Sequence, residues 1–204
     1  MTHRRSVSPI PQKAPHGSAR GLPSHRPAGT PWLAGLGPAA ILALAIVHIV
    51  TLHFVCDDAF ISFRYAEHLV QGQGLVFNTG ERVEGYTNFL WVLVCAALIR
   101  LGVAPEIGVP WVSGTAAVVT LAAGMWFLAR RGRWAAAFGF GALLATNGGF
   151  AAWATGGLET ALFTLLVFAA FLTLVSSLDT MSSKRSAAGV PGTPRALVVS
   201  AVLL

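Results

Sequence analysis

The chain has 204 residues, of which 54% are apolar and only 11% charged, and its mean hydropathy is +0.66. Such a composition excludes an ordinary soluble domain. The net charge of +6 is not a nucleic-acid signal, because the basic residues lie in short patches flanking apolar runs, as in the cytoplasmic loops of membrane proteins. Two cysteines exclude a disulfide framework or a cysteine-rich zinc site, and Cys56 and Cys95, at or within apolar segments, read as packing residues. The fold class predicted is all-α, a polytopic membrane helical bundle whose outer-face loop bears interfacial helices.

Residues 1–31 carry Arg4, Arg5, Lys13, Arg20 and Arg26, six prolines and no acidic residue. They cannot bury a core and are expected to form a disordered basic cytoplasmic tail. The first apolar run, residues 32–56, has no charge, and residues 39–56 alone would extend about 27 Å as a helix, close to a bilayer core. Its basic flank places the N-terminus in the cytoplasm and Asp57 outside, with the tail and span read as an uncleaved plasma-membrane anchor.

Further apolar runs lie at 88–99, 107–129, 134–154 and 158–178. If all of them crossed, Arg130, Arg131 and Arg133, and later Lys184, Arg185 and Arg195, would lie outside, against the positive-inside bias. The run at 88–99 is short. Read as a re-entrant or interfacial helix, it makes 57–106 one outer loop and returns both basic clusters to the cytoplasm. The predicted spans are then about 36–56, 107–129, 134–154 and 158–178, with another starting at 196. The nine residues 196–204 are too few to cross, so the chain is expected to be the N-terminal part of a longer protein.

This topology gathers the unusual polar residues on one side. Of eight acidic residues, five fall between Asp57 and Glu84. Asp57-Asp58-Ala59-Phe60-Ile61-Ser62-Phe63-Arg64-Tyr65 follows the first span. The segment 58–70 reads as an amphipathic interfacial helix with Phe60, Phe63, Leu69 and Val70 supplying much of its apolar surface. Asp58 at its start fits a helix cap, which accounts for one carboxylate and not for its neighbour. Adjacent side chains on a helix diverge by about 100°, so the pair suits a division of labour between a base and an orienting or metal-binding group rather than a shared proton. Gly72, Gly74 and Gly80 fit turns better than any phosphate loop. Glu81-Arg82-Val83-Glu84 is compatible with a solvated charge run or with ligand contacts, and Glu159 with a helix N-terminal carboxylate or a site-lining one. His48 and His53 read as packed or interfacial.

The block from Asp57 through Gly72-Gln73-Gly74-Leu75-Val76-Phe77-Asn78 to Gly80-Glu81-Arg82-Val83-Glu84-Gly85-Tyr86-Thr87-Asn88-Phe89-Leu90-Trp91 resembles the N-terminal region of actinobacterial terminal β-(1→2)-arabinofuranosyltransferases and their relatives in the C-type glycosyltransferase superfamily. Gly157-Leu158-Glu159-Thr160 is similar to a second element of that group. The resemblance covers about residues 39–178. It implies a lipid-linked sugar donor such as a polyprenyl-phosphoryl arabinofuranose, a cell-envelope glycan acceptor, and transfer on the outer face of the membrane. Asp57 or Asp58 would be the general base. Arg64, Arg82, Glu84, Tyr86, Asn88 and Glu159 are the candidate substrate contacts. A phosphate leaving group calls for Arg64 or Arg82, or for a divalent cation held by carboxylates, as the one cofactor considered. Family members carry more spans and usually a soluble C-terminal domain.

Two rivals stand beside this reading. A transporter of lipid-linked substrates should show charges at the bilayer midplane or Gly/Pro-broken helices, which the predicted spans do not clearly contain. A non-catalytic or inactive membrane protein would use the carboxylates only as solvated boundary residues.

Overall fold

A computed structural model describes residues 31–188 apart from Arg82, and among these residues every regular element is helical. The expectations for the basic tail before residue 31, for Arg82 and for the apolar run at 196 fall outside the described residues.

Helix α1 (Pro31–Thr51) is followed by a tight turn and α2 (Ala59–Val70). A glycine-rich loop leads to α3 (Phe89–Arg100), then α4 (Pro105–Ala129), α5 (Trp134–Ala145), the single short α6 (Gly148–Trp153) and α7 (Thr160–Ala187). Two stretches, Pro105–Ala129 and Thr160–Lys184, are long and apolar enough to cross a membrane. Of these, α4 is the more buried, and α7 lies almost wholly at the surface.

Three packed layers hold the helices together. At one end Phe63, Tyr65 and Ala66 of α2 meet Trp91, Val92 and Cys95 of α3 and Val109 of α4. The next layer joins Ile49 of α1, Ala116 and Ala117 of α4, Ala151 and Ala154 around α6, and Ala161 of α7. The third joins Ala45, Leu121, Met125 and Ala145. Because Ile49 shares a layer with Ala117 and Ala45 with Leu121, α1 and α4 run antiparallel. Alanines dominate these last two layers, which lets backbones approach closely, while Val47, Val50, Trp111, Phe163, Val167 and Phe171 face outward. Small residues inside and large apolar ones outside is the packing expected where the solvent is lipid.

Several element boundaries differ from the sequence reading. The first apolar run leaves the helix at Thr51, where the Thr51 hydroxyl donates to the His48 carbonyl at 2.9 Å and residues 52–56 carry the chain across the bundle end. The run at 134–154 is two helices. It breaks at Thr146 and Asn147, where Asn147 Oδ1 accepts from the Phe150 amide at 2.7 Å and so starts α6 at Gly148. The opposite ring of the break is tied from α1, whose His48 Nδ1 donates to the Ala145 carbonyl at 3.0 Å. The last run is longer than predicted, continuing as α7 to Ala187.

Candidate functional site

The polar residues after α1 are organised by a knot of three chain segments. The Cys56 amide donates to the Gly156 carbonyl at 3.0 Å. The Trp91 indole, fully buried, donates to the Gly157 carbonyl at 2.9 Å. Asn88, at the start of α3, donates through Nδ2 to Glu159 Oε2 at 2.8 Å and to the buried Ser62 Oγ of α2 at 3.1 Å. Gly157 makes this convergence possible. Its φ of +88° lies in the left-handed region, and a Cβ there would sit 2.7 Å from that of Ala59 and 3.0 Å from Val55 Cγ1. The turns at 56–59, 86–91 and 156–159, far apart in sequence, are thus one unit.

Asp57 and Asp58 lie on the exposed edge of that unit. Asp58 occupies the position preceding α2 but does not cap it: its backbone is already helical (φ −63°, ψ −23°) and its side chain makes no capping hydrogen bond. The amides of Ala59, Phe60 and Ile61 instead donate to the carbonyls of Cys56, Asp57 and Asp58 at 3.1–3.2 Å, leaving both carboxylates out of helix capping.

Of the predicted contacts, Asn88 and Glu159 meet directly. Glu159 precedes α7, its carbonyl accepting from the Phe163 amide at 2.8 Å, so its half-buried carboxylate both sits at a helix N-terminus and lines the knot. Tyr86 stands edge-on to Tyr65 with ring centroids 4.8 Å apart. Tyr65 in turn donates its hydroxyl to the Val83 carbonyl at 2.7 Å and accepts from the Gly85 amide at 2.9 Å, pinning the loop that carries Glu84, which is exposed. Arg64 is not brought to Asn88 and Glu159. It lies two residues beyond Ser62, about 200° around the helix, and pairs with Glu67 at 3.4 Å on the exposed face of α2. Phe60, expected on the apolar face, is also exposed; the buried residues of α2 are Ala59, Ser62, Phe63, Tyr65, Ala66 and His68. Among the described residues no group of three or more His, Cys, Asp or Glu side chains is placed to hold a metal ion.

Two large grooves open beside this unit. One, about 640 Å³, runs between α1 and α4, walled by Ile46, Val50, Ile107, Trp111 and Val119, with His53, Glu106, Thr115 and Thr155 as its polar lining. The antiparallel pairing puts His53 and Glu106 at the end where Asp57 lies, four residues past His53. The other, also about 640 Å³, lies between α2 and the α3–α4 turn and carries Arg64, Glu67 and Glu106 among phenylalanines and aliphatic residues. Both volumes fall within the roughly 300–1,000 Å³ usual for ligand sites. Burial pushes the Cys95 thiol up to about 12, which leaves it a packing residue as expected.

Sequence reasoning missed Ser62, Trp91, Gly157, His53 and Glu106 as parts of the site. A signal existed for Ser62, a hydroxyl within the i, i+3, i+4, i+7 stripe of an otherwise apolar helix face. No protein-family model matches this chain, and no match was found among curated proteins or solved structures.

Proposed function

We propose that this protein is a polytopic membrane glycosyltransferase that moves a glycosyl group, arabinofuranosyl in the first instance, from a polyprenyl-phosphate carrier to a cell-envelope glycan on the outer face of the plasma membrane. The observation that carries the reading is the α1–α4 groove, which is lined mostly by apolar side chains, with His53 and Glu106 at the end of the bundle where Asp57 and Asp58 are exposed. A polyprenyl chain entering sideways from the bilayer would lie along it with its head at the carboxylates. Charge supports the orientation. Arg130, Arg131 and Arg133 cluster at the far end of α4, with Arg130 stacked 4.4 Å from Trp126 and Arg131 paired with Asp179 at 2.9 Å, the arrangement of a cytoplasmic interface. In this topology α1, α4, the broken α5–α6 pair and α7 cross, and α2 and α3 lie at the outer surface.

The chemistry asked of the site is a single displacement. Asp57 or Asp58 takes the proton of an acceptor hydroxyl as its oxygen bonds to the anomeric carbon. The bond from that carbon to the phosphate oxygen breaks, the electron pair leaves on the polyprenyl phosphate, and the configuration inverts. A base within hydrogen-bond reach contributes about 10²–10⁴-fold. Backbone partners satisfy the start of α2, which leaves both carboxylates available for this task.

One observation favours a second reading, transport of a lipid-linked substrate: the helix break at Thr146–Asn147, followed by Gly148 and Gly149, is the kind of interruption transporters place at a binding site. The test separates the two. Membranes bearing the chain are given radiolabelled polyprenyl-phosphoryl arabinose and an arabinan acceptor. Label in the glycan supports transfer; label that changes membrane leaflet without entering glycan supports transport and overturns our reading.

A further inference from the structure

The groove between α2 and the α3–α4 turn holds neither of the proposed bases, yet its lining is unusual. Phe60 and Phe77 keep 48% and 41% of their surface exposed beside it, and Arg64, Glu67 and Glu106 stand among them. The Arg64–Glu67 pair is about half exposed on both sides, so it contributes little to stability; Glu67 also accepts from Gln71 at 3.1 Å, and most of the Arg64 donors stay free. An apolar occupant would strip water from three charged groups without replacing it. A polyanion would meet two carboxylates against one guanidinium. Aromatic faces beside planar, hydrogen-bonding charged groups suit a ligand with C–H faces and many hydroxyls.

We infer that this groove binds a neutral oligosaccharide. It rests on the glycosyl-transfer reading in one respect, that Glu106, which lines both grooves, lets an acceptor held here reach the head of a lipid held between α1 and α4. Glu106 enters from the first turn of α4, directly after Pro105. It acts as a contact for hydroxyl groups at the junction, while Asp57 and Asp58, which line neither groove, remain the proton acceptors.

The experiment is binding by saturation-transfer NMR on the full chain in lipid nanodiscs, with a linear arabino-oligosaccharide, maltohexaose and a polygalacturonate as probes. Saturable binding of a neutral probe is expected, weakened about tenfold or more by Phe60→Ser and by Glu106→Gln, the loss expected of one stacking or charge-assisted contact. Tryptophan fluorescence checks that each variant keeps the fold. Preference for the polygalacturonate, absence of saturable binding, or binding indifferent to both substitutions overturns the inference. Transfer is measured in the same samples. Neutral-probe binding that both substitutions weaken, without transfer, keeps the groove and removes the enzyme reading; transfer with no saturable binding keeps the enzyme and removes the groove.

Discussion

Replacing Gly157 by alanine tests whether the three outer segments form one unit. At φ +88° an alanine is strained by about 1–2 kcal/mol relative to glycine. Its Cβ would also lie 2.7 Å from the Ala59 Cβ and 3.0 Å from Val55 Cγ1, well inside ordinary contact, and forced overpacking of this kind costs typically about 1–3 kcal/mol. Relief requires moving the start of α2, which would also lengthen the bonds from Trp91 and Cys56 to residues 156 and 157. The combined cost is about 2–5 kcal/mol, and at roughly 2–4 °C per kcal/mol for a chain of this size the melting temperature should fall by about 4–20 °C. The assay is thermal unfolding in detergent followed by tryptophan fluorescence. Gly139→Ala is the control: it lies within α5, nothing stands within 4 Å of its added Cβ, and the change should be neutral or raise stability by about 0.5–1 kcal/mol. Equal melting temperatures for Gly157→Ala and the wild type would refute the packing argument.

Trp91→Phe leaves the Gly157 carbonyl without its donor and a small cavity where the second ring stood, a loss of at least about 1–3 kcal/mol, read as a lower melting temperature with unchanged helix content by circular dichroism. Tyr65→Phe removes one hydroxyl that serves both Val83 and Gly85, and should raise proteolytic cleavage in the 79–86 loop several-fold while leaving global unfolding within about 1–2 kcal/mol. The Cys95 thiol, raised from 9.0 to about 12, carries at pH 8 roughly a thousandfold less thiolate in the fold than when unfolded. Maleimide labelling of Cys95, followed by mass spectrometry, should therefore be much slower in the native protein than in denaturant. The sign for stability is also fixed: the unfolded thiol loses its proton first, so any contribution from Cys95 is intact below pH 9 and declines as the pH rises toward 12.

Much of the fold was legible because hydropathy and charge are strong signals in a chain this apolar. The basic cluster at Arg130–Arg133 marked the end of α4, and the shortness of the 88–99 run matched a 12-residue helix at Phe89–Arg100. The break within 134–154 was not legible from hydropathy, since Thr146 and Asn147 interrupt an apolar run without adding charge and Gly148 and Gly149 remain compatible with a helix there. What decides it is local: a short amide side chain able to cap the Phe150 amide, and His48 reaching from another helix to the freed carbonyl. The same limit applied at Asp58, where the sequence is compatible with a cap and the preceding turn had already satisfied the amides. The gathering of Asn88 with Glu159 depends on a contact across 71 residues and on one left-handed glycine, neither of which has a periodic signature. Glu106 escaped notice because a lone carboxylate after a proline reads as an ordinary first-turn residue, and only the two grooves that share it set it apart.

The measurement that bears most directly on the account is the rate of arabinosyl transfer from polyprenyl-phosphoryl arabinose by membranes bearing wild type, Asp57→Asn or Asp58→Asn, with insertion checked by the amount of full-length protein in the membrane fraction. The account predicts equal insertion and a fall of about 10²-fold or more in at least one variant, the share of the rate that a positioned base supplies. Equal insertion with the wild-type rate retained in both variants would contradict it.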